Sequence, residues 1–323
     1  MPFRNEAAHL PSSLASLALQ DIGVRHFRLV AVDNGSSDGG GALLTDFCMR
    51  HGIAFELIRA EQPSIPLALN RALDLVAADE LVVRFDAHTT YAPDYLRVIE
   101  EAFERLGPEV WCVGGSPTVV PPPDFSRALH AALLSSPMGL GPADYRSGAV
   151  IEKAVQTIYL GAWRPGVLQG LGGFDERWKA NEDSELNERI RERGGSVYRI
   201  AAHSQKIVTR GALAAATQWA RYGFWRAQTF RRHPSAIRLR HVVPPAALLL
   251  GAALALSRAR LLLGPLYLAY IAATYATRPA DERPAVTLAT FAYFPLVQCG
   301  YALGLIAGVV APPAPPTDCA RAH

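Results

Sequence analysis

One stretch near the C-terminus limits the fold more than any other: residues Ala285–Ala311 run for 27 positions without a charged side chain. About 20 apolar residues suffice to cross the hydrocarbon core of a bilayer as a helix, so this run is long enough to do so. Two shorter apolar stretches precede it, Val242–Ser257 with 16 residues and Leu261–Thr277 with 17, separated by Arg258-Ala259-Arg260. The pair reads as a tight hairpin, as a tilted pair with snorkelling arginines, or as core helices of a soluble domain. Of 32 basic and 29 acidic side chains, only eight lie in residues 241–323. A disordered chain is thereby excluded, and so is a uniformly soluble single domain. Between Lys206 and Arg240 stand eight basic residues and no acid. Such a border fits the positive-inside rule and attraction to anionic headgroups, which puts the bulk of the protein in the cytoplasm. The expected organisation is a membrane region over 236–311 with up to three helices (242–257, 261–277, 285–311), then a disordered, Pro-rich tail over 312–323.

The rest of the chain has a different rhythm. A helical repeat over Leu10–Leu19 leads to an apolar run, Phe27–Val32, that stops at Asp33-Asn34-Gly35-Ser36-Ser37-Asp38-Gly39, a cluster of turn formers. A helix (Gly41–His51), a strand (Ala54–Arg59) and a second helix (Ile65–Ala77) follow, and then Glu80–Phe85 ends on Asp86. Strands alternating with helices of about a dozen residues predict an α/β fold with a doubly wound, largely parallel sheet flanked by helices. Ligands of such sheets gather at the carboxyl ends of the strands, where Asp33 and Asp86 both fall. An apolar strand normally leads into a segment such as Pro2-Phe3-Arg4-Asn5-Glu6; none is present, and a start placed too late is the favoured reading. Further on, Gly172-Gly173-Phe174-Asp175-Glu176 precedes a charged helix, Asn181–Arg193, and a strand, Val197–Ile200. The four cysteines lie far apart and match no zinc or redox spacing, as suits a reducing compartment. Only three of the basic residues are lysine, which reflects composition bias more than phosphate recognition.

Three places carry chemistry. Asp33-Asn34-Gly35-Ser36 offers acceptors and an open backbone at a strand-to-helix crossing, suited to a base or ribose; a turn with an Asx cap would look the same. Asp86-Ala87-His88 sets a carboxylate and an imidazole two residues apart just past a buried strand. They can share a divalent ion such as Mn²⁺ whose shell is completed by phosphates and water, although lone D-x-H triplets are common. Asn181-Glu182-Asp183 opens a helix, where acids most often serve the helix dipole.

Taken together, these motifs resemble the family 2 glycosyltransferases of GT-A type. They are most similar to the membrane-attached bacterial branch that includes the succinoglycan (exopolysaccharide) biosynthesis enzymes. The resemblance rests on Pro2–Glu6, Val32–Gly39, Ile65–Asn70, Val83–His88 with Pro93-Asp94-Tyr95, and Gly172–Arg189, in order and spacing over about 1–235. It implies a catalytic domain over 1–235, with a nucleotide-sugar part to about residue 120 and an acceptor part over 121–235. It implies an inverting transfer from a nucleotide-diphospho-sugar with a divalent cation, Mn²⁺ or Mg²⁺. Pro2, Arg4, Glu6, Asp33, Asn34, Ser36, Asn70 and Asp86 would then bind the donor, Asp86 and His88 the metal. Asp183 would be the general base, with Glu182 near acceptor and diphosphate. Two departures stand out: Asn34 replaces the usual second acid of the nucleoside motif, and His88 the usual second aspartate of the metal motif. The cluster Gln218-Trp219-Ala220-Arg221-Tyr222 with Trp225 is similar to the Q-x-x-R-W signature of processive synthases, which serves acceptor and diphosphate; an amphipathic interfacial helix would look alike.

The expected partners are a nucleotide-sugar donor, a lipid-linked or saccharide acceptor and membrane lipids, with no nucleic acid, at the inner membrane of a bacterium. A processive polysaccharide synthase is the close alternative, with three modest hydrophobic segments offering little room for a channel. A membrane nucleotidyltransferase would need a basic residue over the α-phosphate, for which Arg4 and Arg71 are candidates. An inactive sugar-nucleotide scaffold is opposed by the presence of Asp86, His88 and Asp183.

Overall fold

The computed structural model describes residues 1–60, 62–120, 122–140, 152–279 and 282–314. The chain forms β1 (Pro2–Phe3), α1 (Leu10–Ala18), β2 (Arg28–Asp33), α2 (Gly40–His51), β3 (Ala54–Arg59), α3 (Ile65–Leu73), β4 (Val82–Val83), β5 (Thr89–Tyr91), α4 (Tyr95–Arg105) and β6 (Val110–Val120). Then come α5 (Phe125–Ser135), α6 (Pro137–Leu140), β7 (Lys153–Ala154), β8 (Ala162–Trp163), α7 (Val167–Gly170), α8 (Glu182–Glu192) and β9 (Ser196–Ile207). The last elements are α9 (Ala212–Arg232), α10 (Leu239–Ala255), α11 (Leu263–Ala276) and α12 (Pro284–Val310).

Two compact units emerge: one from the described residues of Met1–Thr118 and Tyr145–Ile207, the other from those of Val119–Asp144 and Val208–Pro315. In the first, β1, β2 and β3 form a parallel ladder in which Pro2 pairs with Val32 and Phe3 with Asp33. A short strand does therefore precede β2. The other sheet runs β4-β8-β6-β9-β5, with β7 added beside β9. Its β4–β8, β6–β8, β5–β9 and β7–β9 pairings are antiparallel. The expected α/β architecture is present as a mixed fold whose parallel part is β1–β3. Helices flank it by burying one stripe each; α4 turns Tyr95, Leu96, Ile99, Ala102 and Phe103 inward, the spacing of one helical face.

Element bounds differ from expectation in instructive places. The Glu80–Phe85 run pairs only at Val82–Val83, then by one bond from Arg84 N to Gly161 O (3.0 Å), because its last residues turn into a charged cluster. Helix α3 stops at Leu73, beyond which the backbone bonds tighten to an i→i−3 pattern at Leu75 and Val76.

In the second unit, Leu129 and Leu133 of α5 pack with Val286, Phe294 and Val297 of α12. Helices α9 and α12 touch through backbone. A Cβ on Gly304 would lie 2.0 Å from the Ala220 carbonyl oxygen, and one on Gly223 2.1 Å from that of Tyr301. Small residues allow such approach, as in membrane helix pairs. Gln228 Nε2 donates to Gly308 O (2.9 Å) and Arg231 Nη1 to Val309 O (3.1 Å), tying α9 to the last turn of α12. Among the described residues, α12 is the one helix long and apolar enough to cross a membrane, with mean hydropathy 1.6. Helix α10 and the segment Arg258–Ala276 pass that test only together, bent by 119°. Leu249, Leu256, Leu261, Leu288, Leu303 and Val310 are exposed on these helices. Of the expected tail, residues 315–323 lie outside the described residues; Ala314 N donates to Gln228 Oε1 (2.9 Å).

Candidate active site

The loops after β1 and β2 are fastened to each other. Ser36 Oγ accepts from Asn5 N (3.0 Å), Asn5 Oδ1 from Ser37 N (2.9 Å), and Asp38 Oδ2 from Ala7 N (2.7 Å). Asp33, at the end of β2 and 2% exposed, accepts from Ser36 N (2.7 Å), so the Asx-type turn is real. Asn34 is buried too, yet its Oδ1 has no hydrogen-bond partner among the described residues. A buried acceptor without a donor costs free energy unless a ligand supplies one. Pro2 lies in β1 and Arg4 is exposed, as is Arg71.

Asp86 is the most heavily supported acid. Its N–H donates to Tyr91 Oη (2.8 Å), Tyr159 Oη donates to Oδ2 (2.8 Å), and Arg84 Nε lies 3.5 Å from Oδ1. Lys206 Nζ donates to Tyr159 Oη (3.2 Å). Burial works against the Asp86 charge, but Arg84, His88 and Lys206 outweigh it and hold the carboxyl down to about 2. Burial, then the Asp86 charge, raises the Tyr159 phenol, which therefore keeps the proton it donates. His88 Nδ1 lies 3.2 Å from Glu6 Oε1, so Glu6 meets the imidazole.

Arg84 also reaches Glu182 Oε1 through Nη1 (3.2 Å). One guanidinium thus joins the strand-end acid to the first residue of α8. Burial disfavours its charge, while Asp86, Glu182 and Asp183 more than restore it. Glu182 is raised, by burial first and by neighbouring Asp183, against the opposing pull of Arg84. Asn181 caps α8 in the left-handed region (φ 61°), which Asn tolerates, and Ser184 N donates to Asp183 Oδ1 (2.7 Å). Asp183 is only partly buried, at a helix start whose dipole favours its anion.

The approach to α8 explains Asn70. Its Oδ1 accepts from Phe174 N (2.8 Å), and its Nδ2 donates to Phe174 O (2.8 Å) and Glu176 Oε1 (2.9 Å). Gly173 must be glycine there: φ is +75° and a Cβ would sit 2.5 Å from Asn70 Oδ1. Asn70 pins the Gly172–Glu176 turn.

The first unit thus brings together Glu6, Asp86, His88 and Glu182 with Asp183, and separately ties Asp33 and Ser36 to the β1 loop. Gln218, Arg221, Tyr222 and Trp225 all lie on α9, in the second unit; Gln218 Nε2 donates to Tyr222 Oη (2.5 Å) and Arg221 is exposed. Arg84, Tyr159 and Lys206 had no assigned role in the sequence reading. Lys206, one of three lysines, was noted only as the start of the basic run.

Residues 1–140 match the family model for Glycosyl transferase family 2. Succinoglycan biosynthesis protein ExoA of Rhizobium meliloti (strain 1021) is 28% identical over 250 residues, 76% of this chain and 73% of the relative. The mannosyltransferase PcManGT of Pyrobaculum calidifontis, solved with GDP-Man and Mn²⁺, superposes with TM-score 0.60 at 21% identity, covering 96% of this chain and 85% of that one. S. aureus TarS 1–349 in complex with UDP-GlcNAc gives TM-score 0.50 at 15% identity, over 93% and 89%. The fold is accordingly that of GT-A glycosyltransferases, and the protein is an enzyme that resembles family 2 over residues 1–140 and an exopolysaccharide biosynthesis protein over 250 residues.

Proposed function

We propose that the protein moves a sugar, with inversion at the anomeric carbon, from a nucleotide-diphospho-sugar to an acceptor hydroxyl. The acceptor is a lipid-linked saccharide in exopolysaccharide or surface-glycan synthesis, and the work is done on the cytoplasmic side of a bacterial inner membrane. The observation that carries the reading is the Asp86–Arg84–Glu182 chain, which fixes a strand-end acid against the helix bearing Asp183.

In this reading Asp183 takes the acceptor proton as the hydroxyl attacks; a base of this kind contributes about 10²–10⁴-fold. One base suffices, since a departing diphosphate needs no proton. Pro2, Asp33, Asn34 and Ser36 cradle the nucleoside, the orphan Asn34 Oδ1 taking a donor from it. Among the described residues no three His, Cys, Asp or Glu side chains form a metal cage. Asp86 and His88 fit a cation whose other ligands come from the diphosphate: the carboxylate is held ionised and the imidazole is fixed at one nitrogen. A bound Mn²⁺ or Mg²⁺ would supply charge stabilisation to the leaving diphosphate. Glu182, Gln218, Arg221, Tyr222 and Trp225 are assigned to acceptor and diphosphate. Supporting the donor class, PcManGT holds GDP-Man with Mn²⁺ and TarS holds UDP-GlcNAc. Supporting the pathway class, the matched curated relative is named for succinoglycan biosynthesis. Helix α12 and the basic border before it support the reading of membrane attachment, with a catalytic part over 1–235 and a membrane region over 236–311 as the proposed division.

The test is release of nucleoside diphosphate from a panel of sugar nucleotides by membranes containing the protein. Release with at least one donor is expected; none with any donor, with or without Mn²⁺ or Mg²⁺, refutes the proposal. Asp183→Asn should lower transfer by about 10²–10⁴-fold with donor binding retained. Full activity in that variant removes the base assignment.

A further inference from the structure

The geometry points to Glu6 as the positioning residue of His88, holding one ring nitrogen so that the other is left as the cation ligand. The inference rests on reading Asp86 and His88 as the cation site, and it moves Glu6 from the donor-binding set to the support of that site.

Both partners are fixed in the backbone before their side chains meet. Asn5 adopts a left-handed φ of 52°, its N–H is held by Ser36 Oγ, and the Ala7 N–H by Asp38 Oδ2. The Glu6 carbonyl accepts from His9 N and Leu10 N (both 2.9 Å), where α1 begins. On the other side, His88 O accepts from Ile207 N (2.9 Å), and Thr89 opens β5 against Lys206 of β9. Glu6 Oε1 then lies 3.2 Å from Nδ1, with the two side chains 17% and 19% exposed. A carboxylate only accepts, so the contact selects a ring protonated at Nδ1, which in the neutral imidazole leaves the lone pair on Nε2. Neutral imidazole with a lone pair is the form a divalent cation needs, and a carboxylate on the remote nitrogen is the usual support of such a ligand. Among the described residues His88 makes no other side-chain hydrogen bond, and Glu6 Oε2 is buried without a partner. Glu6 is thus spent on His88 through one oxygen, and among the described residues no group satisfies its other oxygen.

The experiment uses the purified full chain with Mn²⁺ alone, free Mn²⁺ being read by its EPR signal. It is paired with ¹⁵N spectra of histidine-labelled protein at pH 8, in which His88 is assigned by its loss in His88→Gln. The parent should show Nδ1 protonated and Nε2 bare. Glu6→Ala and Glu6→Leu, which remove the acceptor, should shift the ring toward the Nε2-protonated form and weaken Mn²⁺ binding about 10–100-fold. Glu6→Asp should rescue both in part, which a merely structural role would not do. Unchanged ring tautomer and unchanged Mn²⁺ affinity in folded Glu6→Ala or Glu6→Leu overturn the proposal. If the ring responds to Glu6 while the parent binds no Mn²⁺, the positioning role stands and the cation assignment alone falls.

Discussion

The two compact units put their charges in opposite places. In the first, Arg84, Asp86 and Glu182 are taken out of water and held against one another. In the second, Arg221 is exposed on α9, while the closest contact of α9 with α12 is made by glycine, alanine and bare carbonyls, with Gln228 and Arg231 hydrogen-bonding carbonyls at the last turn of α12. One interior is specified by electrostatics at low dielectric, the other by shape. A charge removed should therefore hurt the first most, and a methyl group added should hurt the second most.

The largest effect is expected at Arg84. Arg84→Met removes the guanidinium that two buried carboxylates share, and breaking a buried pair in this way typically costs about 3–5 kcal/mol. Thermal or urea unfolding of the first unit should show it, whereas Arg221→Met at an exposed position of α9 should change stability by less than about 0.5 kcal/mol. Equal effects would erase the contrast between the units.

Acid should separate the two carboxylates on Arg84. Asp86 is depressed to about 2, below its ordinary 3.8. Its contribution is thus present above pH 3.8 and is lost as pH falls from there toward 2. A shift of nearly two units corresponds to about 2 kcal/mol. Glu182 is raised, so its sign is reversed: it favours the folded state below its ordinary 4.5 and loses that contribution as pH rises through its folded value. Urea unfolding between pH 5 and 2 should show the parent losing about 2 kcal/mol more than Asp86→Asn. Parallel curves would mean that Asp86 is not held ionised by its neighbours.

How far these features could be read from the chain alone depended on whether their cause was local. Asp33, Asp86 and Asp183 were legible because strand ends and helix starts leave marks in neighbouring residues. The role of Arg84 was not, since its partner Glu182 lies 98 positions away and nothing near Arg84 signals it. Tyr159 sits in a stretch without periodicity, so its bond to Asp86 left no pattern. Asn70 was read as a donor ligand, but its amide fits the Gly172–Glu176 turn, again through distant contacts. The boundary at residue 235 followed hydropathy. Compactness instead groups α5 and α9 with α10–α12, because Leu129 and Leu133 find Phe294 and Val297 far along the chain. One signal was there and went unused: Gly300, Gly304 and Gly308 recur every four residues, the spacing of a close helix contact inside what was read only as a membrane span.

That spacing allows the smallest and sharpest test of the contrast. At Gly304 a Cβ would lie 2.0 Å from the Ala220 carbonyl oxygen, and backbone cannot yield as a side chain can. Gly304→Ala should destabilise the second unit by about 1–3 kcal/mol through overpacking, beyond the roughly 1 kcal/mol that alanine returns in helix propensity. At Gly300 the nearest atom to a Cβ is the Ala216 oxygen at 3.8 Å, an ordinary contact. Gly300→Ala should therefore gain up to about 1 kcal/mol, the propensity term alone. The two substitutions share chemistry, helix and exposure to the same partner, so opposite shifts in thermal unfolding can come only from how closely the backbones meet. Shifts of the same sign would show that α9 and α12 are not held at backbone contact.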